Sequence, residues 1–212
     1  EGEYYASQAN GLTETKVSIA ASRGEILDRY LRPLAVNRTS FSLVIDGAFF
    51  PRGTGAEARN EQNAILLKLT ELLESRGEEW NDTLPITKTE PFQFMEDRES
   101  DIATLRKNLG LADYATVENC MTAMIEAYGL EEYTPIEQRR LAGIQYEMVI
   151  RDFSLKNPFV FCNDISRDTA YIIKENNTSY PGVTPQTTPV HEYVSGTIAP
   201  HLIGTLGPIY PE

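Results

Sequence analysis

Seven consecutive residues, Arg23-Gly24-Glu25-Ile26-Leu27-Asp28-Arg29, hold two guanidinium groups and two carboxylates. A strand-like run, Lys16 to Ala21, leads into them. Pro33-Leu34-Ala35 and a second run, Phe41 to Asp46, follow. Charge wedged between two buried strands costs desolvation unless it is paired. Arg offers a rigid fork of donors suited to bidentate pairing with carboxylate, and Gly24 permits a turn or a close backbone approach. The cluster is therefore expected to be an ion-pair node that ties this segment to another part of the fold. The competing reading is a solvated hairpin turn with surface charges, the more frequent outcome for such a run.

The length of 212 residues allows one large domain or two small ones. Thirty-one acidic and 19 basic residues give a net charge of -12. That excludes nucleic acid as an expected partner, because phosphate binding needs a basic face, and it disfavours an anionic membrane surface. No run of about 18 apolar residues is present to span a bilayer. Cys120 and Cys162 are the only cysteines. Each sits in an apolar context, so two separate buried thiols are expected, with a disulfide as the alternative.

Along the chain the pattern changes period. Residues 1–15 are polar and read as a linker. From Glu57 to Arg76, Ile65, Leu66, Leu69, Leu72 and Leu73 share a helical face, with Gly77 as a stop. Residues 78–94 are irregular, broken by Pro85 and Pro91. Ser100 is expected to cap a short helix that ends at Gly110. Val117, Met121, Met124, Ile125 and Tyr128 form another face, ended by Gly129. Thr134-Pro135-Ile136-Glu137 reads as a capping box opening a helix with Leu141, Ile144 and Met148 inward. After Pro158 the chain is extended through Phe159–Cys162. Ser166 caps a helix to Glu175. A turn at Ser179–Val183 precedes a strand expected near Thr188–Val194. The fold class is α+β, with a β-rich part from residues 16–54 and 155–212. A helical insert at 55–154 is expected to stand as a separate lobe.

No motif here carries chemistry. No Ser has Lys three residues on, and Lys88-Thr89-Glu90 lacks the Gly of a Lys-Thr-Gly element. His191-Glu192 is not followed by a second His at zinc-protease spacing. No cofactor and no metal are expected. A Ser–His–Asp triad need not be contiguous in sequence, so a small hydrolase using His191 or His201 stays open.

The order of several motifs resembles the non-catalytic pedestal module of class B penicillin-binding proteins. Arg-Gly-x-x-x-Asp-Arg followed by Pro-Leu-Ala and an alternating strand is similar to that family's first motif. The family usually continues with Asn-Gly; here Tyr30 and Leu31 stand in those places, and neither favours positive φ. Later, Glu175, Pro181-Gly182-Val183, Gly196, Ala199, His201, Gly204 and Gly207 match the second half. The family's Arg-x-Tyr-Pro-x-Gly reads His191-Glu192-Tyr193-Val194-Ser195-Gly196 here. The insert, with Gln138-Arg139-Arg140-Leu141, looks like the head of elongation-type members.

The resemblance implies a fragment without catalytic activity from a bacterial peptidoglycan D,D-transpeptidase. A transmembrane anchor before residue 1 and a transpeptidase domain after residue 212 would flank it, on the extracytoplasmic face of the membrane. Implied partners are that transpeptidase domain, a membrane glycosyltransferase of the shape and division family, other cell-wall assembly proteins and a second copy. Arg23, Gly24, Asp28 and Arg29 are expected to meet Glu175, Pro181, Gly182, Gly196, His201, Gly204 and Gly207 in one interdomain joint. The alternative is a stand-alone extracytoplasmic interaction module.

Overall fold

One long strand, β2 (Pro33–Ile45), runs through the middle of the sheet in this computed structural model, which describes residues 23–53 and 55–194. β4 (Val183–Tyr193) lies antiparallel along one edge of β2, from Ala35↔Tyr193 to Ile45↔Val183. The other edge is shared. β1 (Ile26–Leu27) pairs at Pro33–Ala35, and β3 (Phe159–Ile165) pairs at Phe41–Ile45 with register shifts. The expected run at Lys16–Ala21 lies outside the described residues.

Four helices separate β2 from β3: α1 (Ala56–Ser75), α2 (Glu99–Asn108), α3 (Val117–Tyr128) and α4 (Pro135–Ile150). α5 (Arg167–Glu175) follows β3. The end signals act as their chemistry dictates. Gly110 and Gly129 both take φ of +68° after α2 and α3, the left-handed turn that glycine adopts without a Cβ penalty. At α4 the Thr134 amide donates to Glu137 Oε2 at 2.9 Å, half of a reciprocal capping box. The Thr169 amide donates to Ser166 Oγ at the start of α5. The α2 expectation is corrected. Its cap is Arg98, with no side-chain cap bond, and Ser100 lies in the first turn.

The helical insert does not stand as a separate lobe. Leu43 and Ile45 of β2, Leu66 and Leu69 of α1, Met124 of α3, Leu141 of α4 and Phe159 and Phe161 of β3 belong to one buried cluster. Each such side chain contributes roughly 1.5–3 kcal/mol by leaving water, so sheet and helices stabilise each other. Alternation along β2 sends Leu43 and Ile45 toward the helices. Arg38, Ser40 and Ser42 point to the opposite face.

The irregular stretch after α1 is held from inside. Arg139 of α4 is 1% exposed. It pairs with buried Asp82 at 3.1 Å and donates to the carbonyls of Leu84, Ile86 and Thr87. Glu147, fully buried, accepts from the Thr83 amide and from Arg151 Nε, both at 2.7 Å. A loop without periodicity is thereby given fixed backbone partners.

β4 starts five residues earlier than the sequence pattern suggests. Asp46 N–H donates to Gly182 O, and Val194 N–H donates to Leu34 O. Even-numbered residues of β4 therefore face β2, and odd-numbered ones face outward. Pro185 and Pro189 sit at outward positions, where a missing N–H costs no bond to β2 and blunts the edge against a further strand.

Candidate functional site

The Arg23–Arg29 stretch becomes a hairpin rather than a buried ion-pair node. Asp28 organises its turn. Its Oδ1 accepts from the amides of Tyr30 (2.7 Å) and Arg32 (2.8 Å), and its own amide donates to Arg32 O. Asp side chains favour such turns because they bond backbone two residues on. Its salt-bridge partner is Arg32, at 3.2 Å, not Arg23 or Arg29. Arg32 is 72% exposed at its side chain, so the pair is a surface one worth about 0–1 kcal/mol. Arg29 stacks on the neighbouring ring, 4.6 Å from the Tyr30 centroid. A Cβ added at Gly24 would meet nothing within 4 Å among the described residues, so close approach does not explain that glycine.

The turn forms in spite of Tyr30 and Leu31. Leu31 takes φ of +61°, and its amide donates to Asp28 O at 2.9 Å. Side-chain capping by Asp28 holds a leucine where Asn or Gly ordinarily sits.

Glu175, Pro181 and Gly182 do not join this hairpin. Gly182 pairs with the Ile45 end of β2, whereas the hairpin is on the Ala35 end. Ten strand residues separate those ends, about 33 Å at the usual rise. Glu175 is exposed at the end of α5. Gly182 is instead a packing point, with φ of +77° and its backbone against Phe49 and Phe50. The expected joint between Glu175 and Arg23 is therefore replaced by another contact. Gly196, His201, Gly204 and Gly207 lie outside the described residues.

What does reach the hairpin is the block beginning at His191. Asn37 of β2 donates from Nδ2 to the Arg23 carbonyl, and its Oδ1 lies 3.4 Å from His191 Nδ1. The His191 ring meets Tyr193 edge-on at 5.4 Å. Among the described residues its Nδ1 meets the Asn37 amide where a triad places a carboxylate, and its buried Nε2 meets no serine hydroxyl, so this histidine lacks the triad geometry.

On the face of β2 away from the helices, a polar ladder crosses three strands. Arg38 bonds Asp164 of β3 and approaches Glu192 of β4 at 3.2 Å. Ser40 Oγ donates to Asp164 at 2.6 Å, and Ser42 lies 2.8 Å from Thr188 Oγ1. The Arg38 hydrogen bond, then Ser40, holds the Asp164 carboxyl below the usual carboxylate range. No sequence signal marks Arg38 and Asp164 as partners, because 126 residues separate them.

Cys120 and Cys162 are both buried and free. Burial pushes the Cys162 thiol up to about 12, so it is protonated and unreactive at neutral pH. Among the described residues no three His, Cys, Asp or Glu side chains are grouped to hold a metal, and no helix is long and apolar enough to cross a membrane.

A family model described as the penicillin-binding protein dimerisation domain matches residues 18–212. Two solved structures of penicillin-binding protein 2B from Streptococcus pneumoniae are similar. For strain 5204 the identity is 14% and the TM-score 0.41, over 84% of this chain and 27% of that one. For strain R6 the values are 10% and 0.36, over 84% and 26%. The chain thus spans about a quarter of the length of these structures. No curated protein matches it.

Proposed function

The chain belongs to the penicillin-binding protein dimerisation-domain family, and from that premise we propose that it is the non-catalytic pedestal of a bacterial peptidoglycan D,D-transpeptidase of the elongation type. In this role it stands on the extracytoplasmic face of the cell membrane, held by an anchor outside this sequence. It sets the position of a transpeptidase domain and offers surfaces to the membrane glycosyltransferase and other cell-wall assembly proteins.

The observation that carries the reading is the family match over residues 18–212, joined to a sequence without Ser-x-x-Lys or Lys-Thr-Gly. The hairpin end of the sheet supports a joint there. Asn37 of β2 joins Arg23, just ahead of β1, to His191 of β4, and in sequence β4 is followed by Gly196, His201, Gly204 and Gly207. A three-strand polar ladder on Arg38 stiffens the strands just below. Stiffness at the point of exit is what a scaffold needs to fix a domain angle.

Two measurements test this. Fluorescent penicillin is expected to leave the isolated chain unlabelled; covalent labelling would overturn the non-catalytic role. In the encoding gene, Ser-x-x-Lys, Ser-x-Asn and Lys-Thr-Gly are expected after Glu212, in that order. A stop codon there would leave the scaffold nothing to carry.

A further inference from the structure

Between Lys107 and Arg139 the chain carries six carboxylates, Asp113, Glu118, Glu126, Glu131, Glu132 and Glu137, and no Lys or Arg. Half of the net charge of -12 therefore arises in one stretch that contains α3 and the start of α4. Among the described residues the same stretch borders a cleft of about 660 Å³. Its lining is mainly apolar, with Thr122 and Gln138 among it. Val117, Met121 and Ile125 form an i, i+4, i+8 stripe on α3, and Pro91 and Phe92 face it from the loop. A carboxylate stands on each side, Glu90 on the loop and Glu118 on the helix, and both are exposed. A smaller cleft of about 290 Å³ at the other end of α3 adds Glu126, Glu131 and Glu132, opposed by Arg59 alone.

We propose that the groove between α3 and the Glu90–Phe92 loop is a docking site for a basic amphipathic segment of a partner protein, with apolar anchors in the groove and Lys or Arg against its acidic banks. An apolar channel beside a helix is the geometry that receives amphipathic segments through residues at helical spacing. The charge selects the occupant. A second copy of this chain would set the same carboxylates against one another, and like charges across an interface are costly. Anionic lipid and nucleic acid are repelled for the same reason. A cationic segment is drawn in at rates that fall with added salt.

The proposal rests on the scaffold reading only in requiring a partner. Its test uses the chain alone, so it fails separately from the penicillin and gene tests. The probe is a short fluorescent peptide of Leu and Lys with Leu at helical spacing, compared with a Lys-only peptide and a Leu–Glu peptide by anisotropy at low and moderate salt. Only the Leu–Lys peptide is expected to bind tightly. Glu90→Lys with Glu118→Lys is expected to weaken it at least tenfold, and Glu71→Lys on α1 to leave it unchanged. Glu90→Gln with Glu118→Gln gives an intermediate loss and guards against misfolding of the reversal variant. Equal binding of the Lys-only peptide, an unchanged affinity in the Glu90/Glu118 variants, or no binding would overturn the site. Self-association of the wild-type chain that Val117→Asp abolishes would overturn it in favour of a second copy.

Discussion

The carbonyl of Gly182 accepts the Asp46 amide at 2.8 Å, and a Cβ on Gly182 would lie 2.5 Å from the backbone nitrogen of Phe50. Three strained demands meet at this residue: φ of +77°, contact with a neighbouring loop and the first pairing of β4 with β2. Gly182→Ala adds the left-handed penalty to a collision with backbone, which has no rotamer to yield. The expected loss is about 2–4 kcal/mol in urea unfolding. A loss below about 1 kcal/mol would mean that the Phe49–Phe50 loop gives way freely.

Leu31 offers the opposite case. It is 77% exposed and held at φ of +61° by the Asp28 turn. It buries little, and its conformation costs about 1–2 kcal/mol for a branched residue. Leu31→Gly removes that cost and adds some unfolded-state entropy. A net gain of about 0.5–1 kcal/mol is expected by thermal unfolding. Asp28→Asn, which keeps the turn acceptor but not the Arg32 pair, should change stability by no more than about 1 kcal/mol. A much larger loss would restore the buried-node reading.

Arg139 and Asp82 are 1% and 3% exposed at their side chains, so each depends on the other. Arg139→Met leaves a buried carboxylate unpaired and three carbonyls without their donor. The expected cost is about 3–5 kcal/mol. Combining it with Asp82→Leu removes the stranded charge and should recover part of that loss, although the carbonyls of Leu84 and Ile86 stay unserved. A double-mutant cycle in urea measures the coupling. Additive losses would show that the pair is incidental to the loop.

The helices are legible in the sequence because their signals are local. Thr134-Pro135-Ile136-Glu137 contains both halves of its capping box, and Gly129 sits where the apolar stripe of α3 stops. β4 is only half legible. Its prolines are permitted because they face the outer edge, and that parity depends on which side β2 lies. The partners within the candidate site differ from those the sequence suggests for a related reason. Charge type and order in Arg23–Arg29 say nothing of where an ion pair closes, and Asp28 closes locally on Arg32. Gly182 lies at the end of β2 far from the hairpin because β4 runs antiparallel to β2. Arg38 and Asp164 meet only through the β2–β3 register, which no window of sequence contains.

Cys162 provides a test of packing through pH. It is fully buried in β3, and its thiol is pushed up to about 12 from an ordinary value near 9 by burial, which disfavours the thiolate. The sign follows from linkage. Between those values the unfolded chain has lost this proton and the folded chain keeps it, so unfolding releases a proton. The contribution of Cys162 is therefore fully present below about pH 9 and declines as pH rises toward 12, by at most about 1.4 kcal/mol per pH unit. Cys162→Ala opens a small cavity and lowers stability at neutral pH by roughly 1–2 kcal/mol. It also removes this titration, so the gap between wild type and variant should narrow between pH 9 and 10.5 in chemical denaturation. A gap that stays constant over that range would mean that water or local opening reaches the Cys162 sulfur in the native fold.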